Sequence, residues 1–288
     1  MEQSMIDFGR DVCGDLAAGA RREWLVTNGI GGYASGTLGG LLSRRYHGLL
    51  VAALRPPLGR TSLLTKLDEV ATFDSVQYPL SANHWSDDLV DPLGFHHLER
   101  FHLEGTTPVW TFACGAASLD KRIWMQPGAN STYIRFDLRR GNAPLTLDIK
   151  ALVNYRDHHA STFAGDWRMR VERVEHGLRV TAFDGATPFY LLSDRSEATP
   201  KHEWYRDYFL SVEDYRGLDA LDDNLYAGDF QATLLPGESL TLVASTEASP
   251  VLDGASAYAE RRAHERRLLV GAGLGSFSSE PVKHLVLA

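Results

Sequence analysis

Three groups of side chains in this 288-residue chain have the make-up of a working site. The first is Arg156-Asp157-His158-His159, which puts an arginine, a carboxylate and two imidazoles in four positions. A carboxylate with two imidazoles suits a divalent transition metal. Adjacent residues on extended backbone point to opposite faces, so the two histidines do not reach one ion if the preceding strand runs through them. The same holds for His96-His97 in a strand. The cluster is therefore read as a loop hydrogen-bond network or a sugar contact, and neither metal nor cofactor is expected. The second group, Arg44-Arg45-Tyr46-His47, places two cations, a phenol and an imidazole ahead of the apolar run at residues 49–53. Its members either cap a sheet edge and bond free carbonyls, or face a ligand or a second domain. The third group is aromatic and acidic: Glu203-Trp204-Tyr205, Tyr208-Phe209, residues 213–219, and residues 221–226 with the pair Asp222-Asp223. Glycoside hydrolysis needs two carboxyls facing each other across a bond, and neighbours in sequence do not supply that. No catalytic residue is assigned.

The Arg44 cluster closes a stretch that organises the chain. A short apolar run, Trp24-Leu25-Val26, is followed by Gly29, Gly31, Gly32, Gly36, Gly39 and Gly40 within twelve residues. Glycine loses the most backbone entropy on folding, so a cluster marks positive φ or close backbone approach. The plain reading is a wide loop between two strands, laid over a neighbouring surface. Asn28 and Tyr33 either shape its turn or contact a ligand. Residues 29–34 satisfy the G-x-G-x-x-G/A pattern, but a dinucleotide site needs a helix at the motif and an acid about twenty positions later. Gly36, Gly39 and Gly40 oppose that helix, and residues 49–54 contain no acid. Ser35 also sits one place late for a nucleophile elbow.

The same stretch resembles the opening of the amino-terminal domain of bacterial and archaeal glycogen debranching enzymes, the amylo-α-1,6-glucosidase family. The family's strand, N-G-x-G-G-Y-A-S-G-T loop and R-R-Y-H-G-L-L-V-A strand are matched without a gap at residues 28–37 and 44–52. Its R-D-x-H segment is similar to Arg156, Asp157 and His159, its E-x-x-R-G-L-D to residues 213–219 with Arg216, and its L-P-G-E to residues 235–238. The resemblance implies that Asn28, Gly31, Gly32, Tyr33, Arg44, Arg45, Tyr46, His47, Arg156, Asp157, His159 and Arg216 lie at a glucan site or a domain interface. It also implies that the catalytic acids belong to an (α/α)-barrel domain of the same polypeptide.

Composition agrees with a folded globular domain: 44% hydrophobic and 23% charged residues. A net charge of −8 disfavours nucleic acid and anionic membranes as partners and is compatible with glycogen or another branched α-glucan. No run approaches the eighteen apolar residues of a membrane span, and the polar, acidic start lacks the parts of a signal peptide. Cys13 and Cys114 form neither a metal spacing nor a disulfide framework, which suits a reducing cytoplasm.

Strand-like runs recur at residues 62–73, 97–102, 109–114, 121–125, 131–138, 145–153, 169–174, 177–183, 189–192, 230–235 and 239–245, with glycines between many of them. Residues 77–95 read as irregular. The pattern predicts an all-β domain over residues 1–250, a large antiparallel β-sandwich (supersandwich-like), with a barrel as the alternative. Residues 255–270 lack proline and glycine and are rich in alanine, arginine and glutamate, so a linker helix is expected there. By the resemblance, residues 251–288 hold that helical linker and the first residues of a truncated catalytic domain. The expected function is a non-catalytic domain that docks on the catalytic domain through an exposed face carrying the glycine loop and residues 44–47. A free-standing carbohydrate-binding module is the alternative, and a stand-alone hydrolase using the region of Asp157 and His159 the third reading.

Overall fold

The computed structural model describes residues 6–275 and 278–287. Two antiparallel sheets face each other. One has nine strands in the spatial order Asp7–Phe8, Leu98–Glu104, Thr107–Cys114, Ala117–Met125, Ser131–Arg140, Ser239–Ser245, Phe189–Ser193, Gly177–Thr181 and Arg170–Val174. The other runs Glu197–Phe209, Leu221–Leu234, Leu145–Asp157, Leu58–Phe73, Gly48–Arg55, Tyr33–Thr37 and Glu23–Thr27, with Val76–Pro79 paired to Leu58–Phe73. Alternation in the strands sends one face of each sheet inward, and Leu64, Leu147, Ile149, Phe136, Phe189 and Phe230 meet in one continuous core. The sandwich is therefore the architecture. Cys13 and Cys114 are free thiols inside it, and burial pushes them up to about 11 and about 12.

Several elements depart from the sequence expectations. Residues 77–95 are not irregular throughout: Val76–Pro79 extends the sheet, and Ala82–His84 pairs with Val90–Leu93. His96 and His97 lie in a short 3₁₀ helix, Gly94–His97, rather than in a strand. Short helices Arg10–Cys13, Leu16–Ala20 and Ser211–Tyr215 interrupt the β structure. Glu197–Phe209 is a 13-residue strand at the sheet edge. Its exposed polar residues hide the apolar period on which strand recognition depends.

After the last strand comes the helix Gly254–Gly271, with Asp253 as its cap. Its buried positions include Ala257, Arg261 and Glu265, which fall four apart on one face. The helix docks by polar bonds more than by an apolar stripe. Arg261 Nη1 donates to the carbonyls of Thr27 (3.1 Å) and Met125 (3.5 Å), and its Nε lies 3.2 Å from Glu265 Oε1. Glu265 in turn accepts from the Thr106 hydroxyl and from Arg262. Beside it, Tyr258 packs on Trp124, which stacks on Tyr133. A second helix, Glu280–Leu287, follows. Among the described residues no helix is long and apolar enough to cross a membrane.

Candidate functional site

The glycine loop leans on its own domain. Asn28 is buried and uses its whole amide: Oδ1 accepts from the N–H groups of Ile30 (3.1 Å) and Gly32 (2.9 Å), while Nδ2 donates to Ala129 O (3.0 Å) and Asn130 Oδ1 (3.1 Å). A Cβ on Gly32 would stand 2.5 Å from Asn28 Nδ2, and one on Gly31, at φ +100°, 2.6 Å from Pro57 O. The surface these glycines approach is therefore the turns at residues 56–57 and 128–130. Asn28 shapes the turn, and nothing of its amide is left for a ligand.

The segment carrying Arg44 to His47 is a turn, and its strand begins only at Gly48. The expectation that all of this cluster faces outward is corrected here. His47 is buried, its Nδ1 accepting the Ser43 N–H at 3.2 Å and its Nε2 lying 3.4 Å from Glu23 Oε1. Arg44 Nε reaches the same carboxylate oxygen at 2.5 Å. The nearby His47 ring, followed by the hydrogen bond from Arg44, holds the Glu23 carboxyl down at about 2.

Arg45 joins three segments. Its Nη1 donates to His159 O at 2.8 Å, its Nη2 to Asp219 O at 3.1 Å, and its Nε lies 3.5 Å from Glu213 Oε2. Glu213 is wholly buried, and it also accepts the Arg45 N–H (3.2 Å) and Arg216 Nη1 (3.3 Å). Tyr46 keeps its hydroxyl 3.0 Å from His159 Nδ1 and its ring against His158 and His159, while its carbonyl accepts from Tyr33 OH at 3.0 Å. Burial raises the Tyr33 phenol to about 12, so it stays a donor at any ordinary pH.

Arg156 lies in the same assembly. Its Nη2 donates to Arg45 O and to Asp222 Oδ2, both at 2.9 Å. Burial raises the Asp222 carboxyl, with Arg156 opposing the shift. Asp222 and Asp223 are anchors for the loop that follows the histidines: Asp222 Oδ1 accepts the Thr162 N–H (2.7 Å), and Asp223 Oδ2 accepts the Ala164 N–H (2.8 Å). Between those two pinned residues, Phe163 stands 64% exposed. Beyond the buried Glu213, Tyr215 stands 90% exposed at the end of its helix, with Leu218 also open to solvent.

Of the residues singled out by sequence, Arg45, Tyr46, Arg156, Asp157, His159 and Arg216 thus come together with Tyr33 at one end of the eight-stranded sheet. Asn28, Gly31 and Gly32 serve the loop beside it, and Arg44 and His47 serve Glu23. Sequence reasoning missed Glu213 and Asp222 as internal anchors and Phe163 as an exposed ring. For Glu213 the signal was its place at the head of the E-x-x-R-G-L-D segment, and for Asp222 a carboxylate beside apolar strand residues.

The fold has distant likenesses among solved structures. One is a GalM/aldose epimerase homologue from C. elegans: 10% identity, TM-score 0.41, with 77% of this chain and 98% of that chain covered. Another is a bacterial glucoamylase complexed with acarbose: 12% identity, TM-score 0.38, with 84% of this chain and 34% of that chain covered. The chain thus spans about a third of that glucoamylase's length. Likeness at this level says nothing of chemistry. A search of curated proteins by sequence finds no match. The family model described as glycogen debranching enzyme N terminal matches residues 22–241, and by that match the chain belongs to this family.

Proposed function

We propose that this chain is a non-catalytic amino-terminal domain of a glycogen-debranching-type α-1,6-glucosidase, docking on an (α/α)-barrel catalytic domain in the same polypeptide and lending loops to a branched α-glucan site. One observation carries the reading. The loops at residues 43–47, 158–164 and 210–219 are cross-braced by buried charges, yet they present Phe163, Tyr215 and Leu218 to solvent. Ordering a loop in advance lowers the entropy lost on association, and exposed aromatics on rigid supports are what binding surfaces use. Membership of the family supports the partner domain. The two free buried thiols support a reducing cytoplasm as the setting.

The test is glucose release from a branched limit dextrin by the polypeptide carrying both domains, with and without Phe163→Ser and Tyr215→Ser together. A fall of tenfold or more is expected, with the melting temperature of the isolated chain unchanged because neither ring supports its core. Unchanged activity would sink the docking surface. The isolated 288-residue chain is expected to release no glucose. Its binding maltohexaose at micromolar concentration would favour a free-standing carbohydrate-binding module instead.

A further inference from the structure

The strand that leads into the histidines, Leu145–Asp157, ends at Asp157. His158 and His159 belong to a turn closed by a hydrogen bond from Ala160 N to Asp157 O at 2.9 Å. The alternation that would separate the two imidazoles therefore does not operate. Their ring centroids are 3.9 Å apart, and one ligand atom from each of Asp157, His158 and His159 lies within 4.8 Å of the others. We propose that these three residues bind one divalent transition ion of the kind that prefers imidazole, with zinc as the probe.

Three features of the turn point that way. His158 Nδ1 is buried, lies 3.6 Å from Asp157 Oδ1 and makes no hydrogen bond, so its lone pair has no competing donor. His159 is oriented from behind: Tyr46 OH is 3.0 Å from its Nδ1. With the Nδ1 proton donated to that oxygen, Nε2 keeps its lone pair for the ion, the arrangement typical of metal-bound histidines. Asp157 Oδ1 accepts the His159 N–H at 2.9 Å, which fixes the carboxylate while leaving Oδ2 free. Ligand atoms around zinc stand about 3–4 Å apart, given bonds of about 2.0–2.2 Å. The present spread of up to 4.8 Å is wider, so binding has to draw the exposed Asp157 and His159 side chains inward.

The surroundings also set which ion fits. Arg45 and Arg156 are paired with Glu213 and Asp222, whereas Arg60 faces His158 with its Nε on the Gly31 carbonyl. Asp157 is thus the one carboxylate among the proposed ligands, and hard ions that need six or more oxygens are poorly served. Imidazole-seeking ions such as zinc, nickel or copper are favoured. Binding would tie the turn at residues 157–160 to the segment bearing Tyr46.

The experiment strips the 288-residue chain with a chelator, then titrates zinc by calorimetry and follows melting with and without the ion. Cobalt substitution provides a visible absorption band as a spectroscopic check on imidazole ligation. One ion per chain, a raised melting temperature with zinc and no response to calcium or magnesium are expected. His159→Gln and Asp157→Asn should each weaken zinc binding at least tenfold, and Tyr46→Phe, acting through His159, by about tenfold. Both ligand changes are at exposed side chains, and Asp157→Asn keeps the Oδ1 acceptor, so the metal-free variants should melt like the parent. Absence of saturable binding up to millimolar zinc would overturn the proposal. So would binding equal to the parent's in either His159→Gln or Asp157→Asn.

Discussion

Replacing Arg45 by alanine removes a guanidinium that holds the turns at His159 and Asp219 and neutralises the buried Glu213. Its two bonds to carbonyls, at 2.8 and 3.1 Å, have a charged donor, and each is worth about 1.5–3 kcal/mol when counted alone. The ion pair with Glu213 adds a second cost, because a carboxylate with no exposure is left behind. Breaking a buried pair costs about 3–5 kcal/mol when the remaining charge has no other partner. Glu213 keeps the Arg45 N–H and Arg216, though the Arg216 side chain is 45% exposed and its share is screened. These terms overlap, and water enters the space left by a side chain that is itself 13% exposed. A net loss of about 2–3 kcal/mol is the reasonable sum, or a fall in melting temperature of about 4–10 °C for a domain of this size. The assay is thermal unfolding of the 288-residue chain. Glu213→Gln should give a loss of similar sign, and the double variant should be less destabilised than the two singles added, by about 0.5–3 kcal/mol. An Arg45→Ala chain melting within about 1 °C of the parent would refute the bracing role. Arg45 would then be a side chain kept for a ligand or a partner.

Three further outcomes follow from the same geometry. Glu23, held at about 2 by His47 and Arg44, stabilises the fold fully above the ordinary carboxylate pKa and loses that contribution as pH falls from about 4.5 to about 2. With the side chain 38% exposed, the screened contribution is about 1 kcal/mol, so Glu23→Gln should lower stability at pH 7 and flatten this part of the acid limb in a denaturant series at stepped pH. Gly32→Ala should cost about 1–3 kcal/mol in chemical denaturation, because its Cβ collides with the amide of Asn28 and with Asn130. Arg261→Met should loosen the helix Gly254–Gly271 from the sandwich, seen as faster hydrogen exchange along the helix with the sheets unchanged; equal protection would mean that Tyr258 and Trp124 suffice.

The β class and the terminal helix were legible because their causes are local. Apolar residues alternate, glycines mark the turns, and residues 255–270 are good helix formers. Strand ends were less legible. Leu145–Asp157 and Leu221–Leu234 continue through Asn154, Arg156, Asp222, Asp223 and Asn224, polar residues that bond one another across the strand pair or reach the loop at residues 162–164. The bracing was hidden for the same reason. Arg45 and Glu213 are 168 positions apart, and no periodicity links two charges that meet only after the sheet has formed. The turn at His158 was hidden by a polar strand end: separating the two imidazoles needs extended backbone through His159, two residues past the end of the strand at Asp157. The glycine loop was recognised as a close approach, although the surface approached turned out to belong to the same domain.

The polar docking of the helix Gly254–Gly271 also fixes its rotation. An apolar stripe tolerates a turn of some tens of degrees, whereas Arg261 must meet the Thr27 and Met125 carbonyls while Glu265 meets Thr106. Each residue of an α-helix advances the azimuth by about 100° and the axis by about 1.5 Å. One alanine inserted just after Glu265 would leave these bonds in place, yet turn the rest of the helix, from Arg266 onward, by more than a quarter of a revolution. The spacing between the locked residues and the end of the helix is thus an angular setting, and a change of one residue resets it.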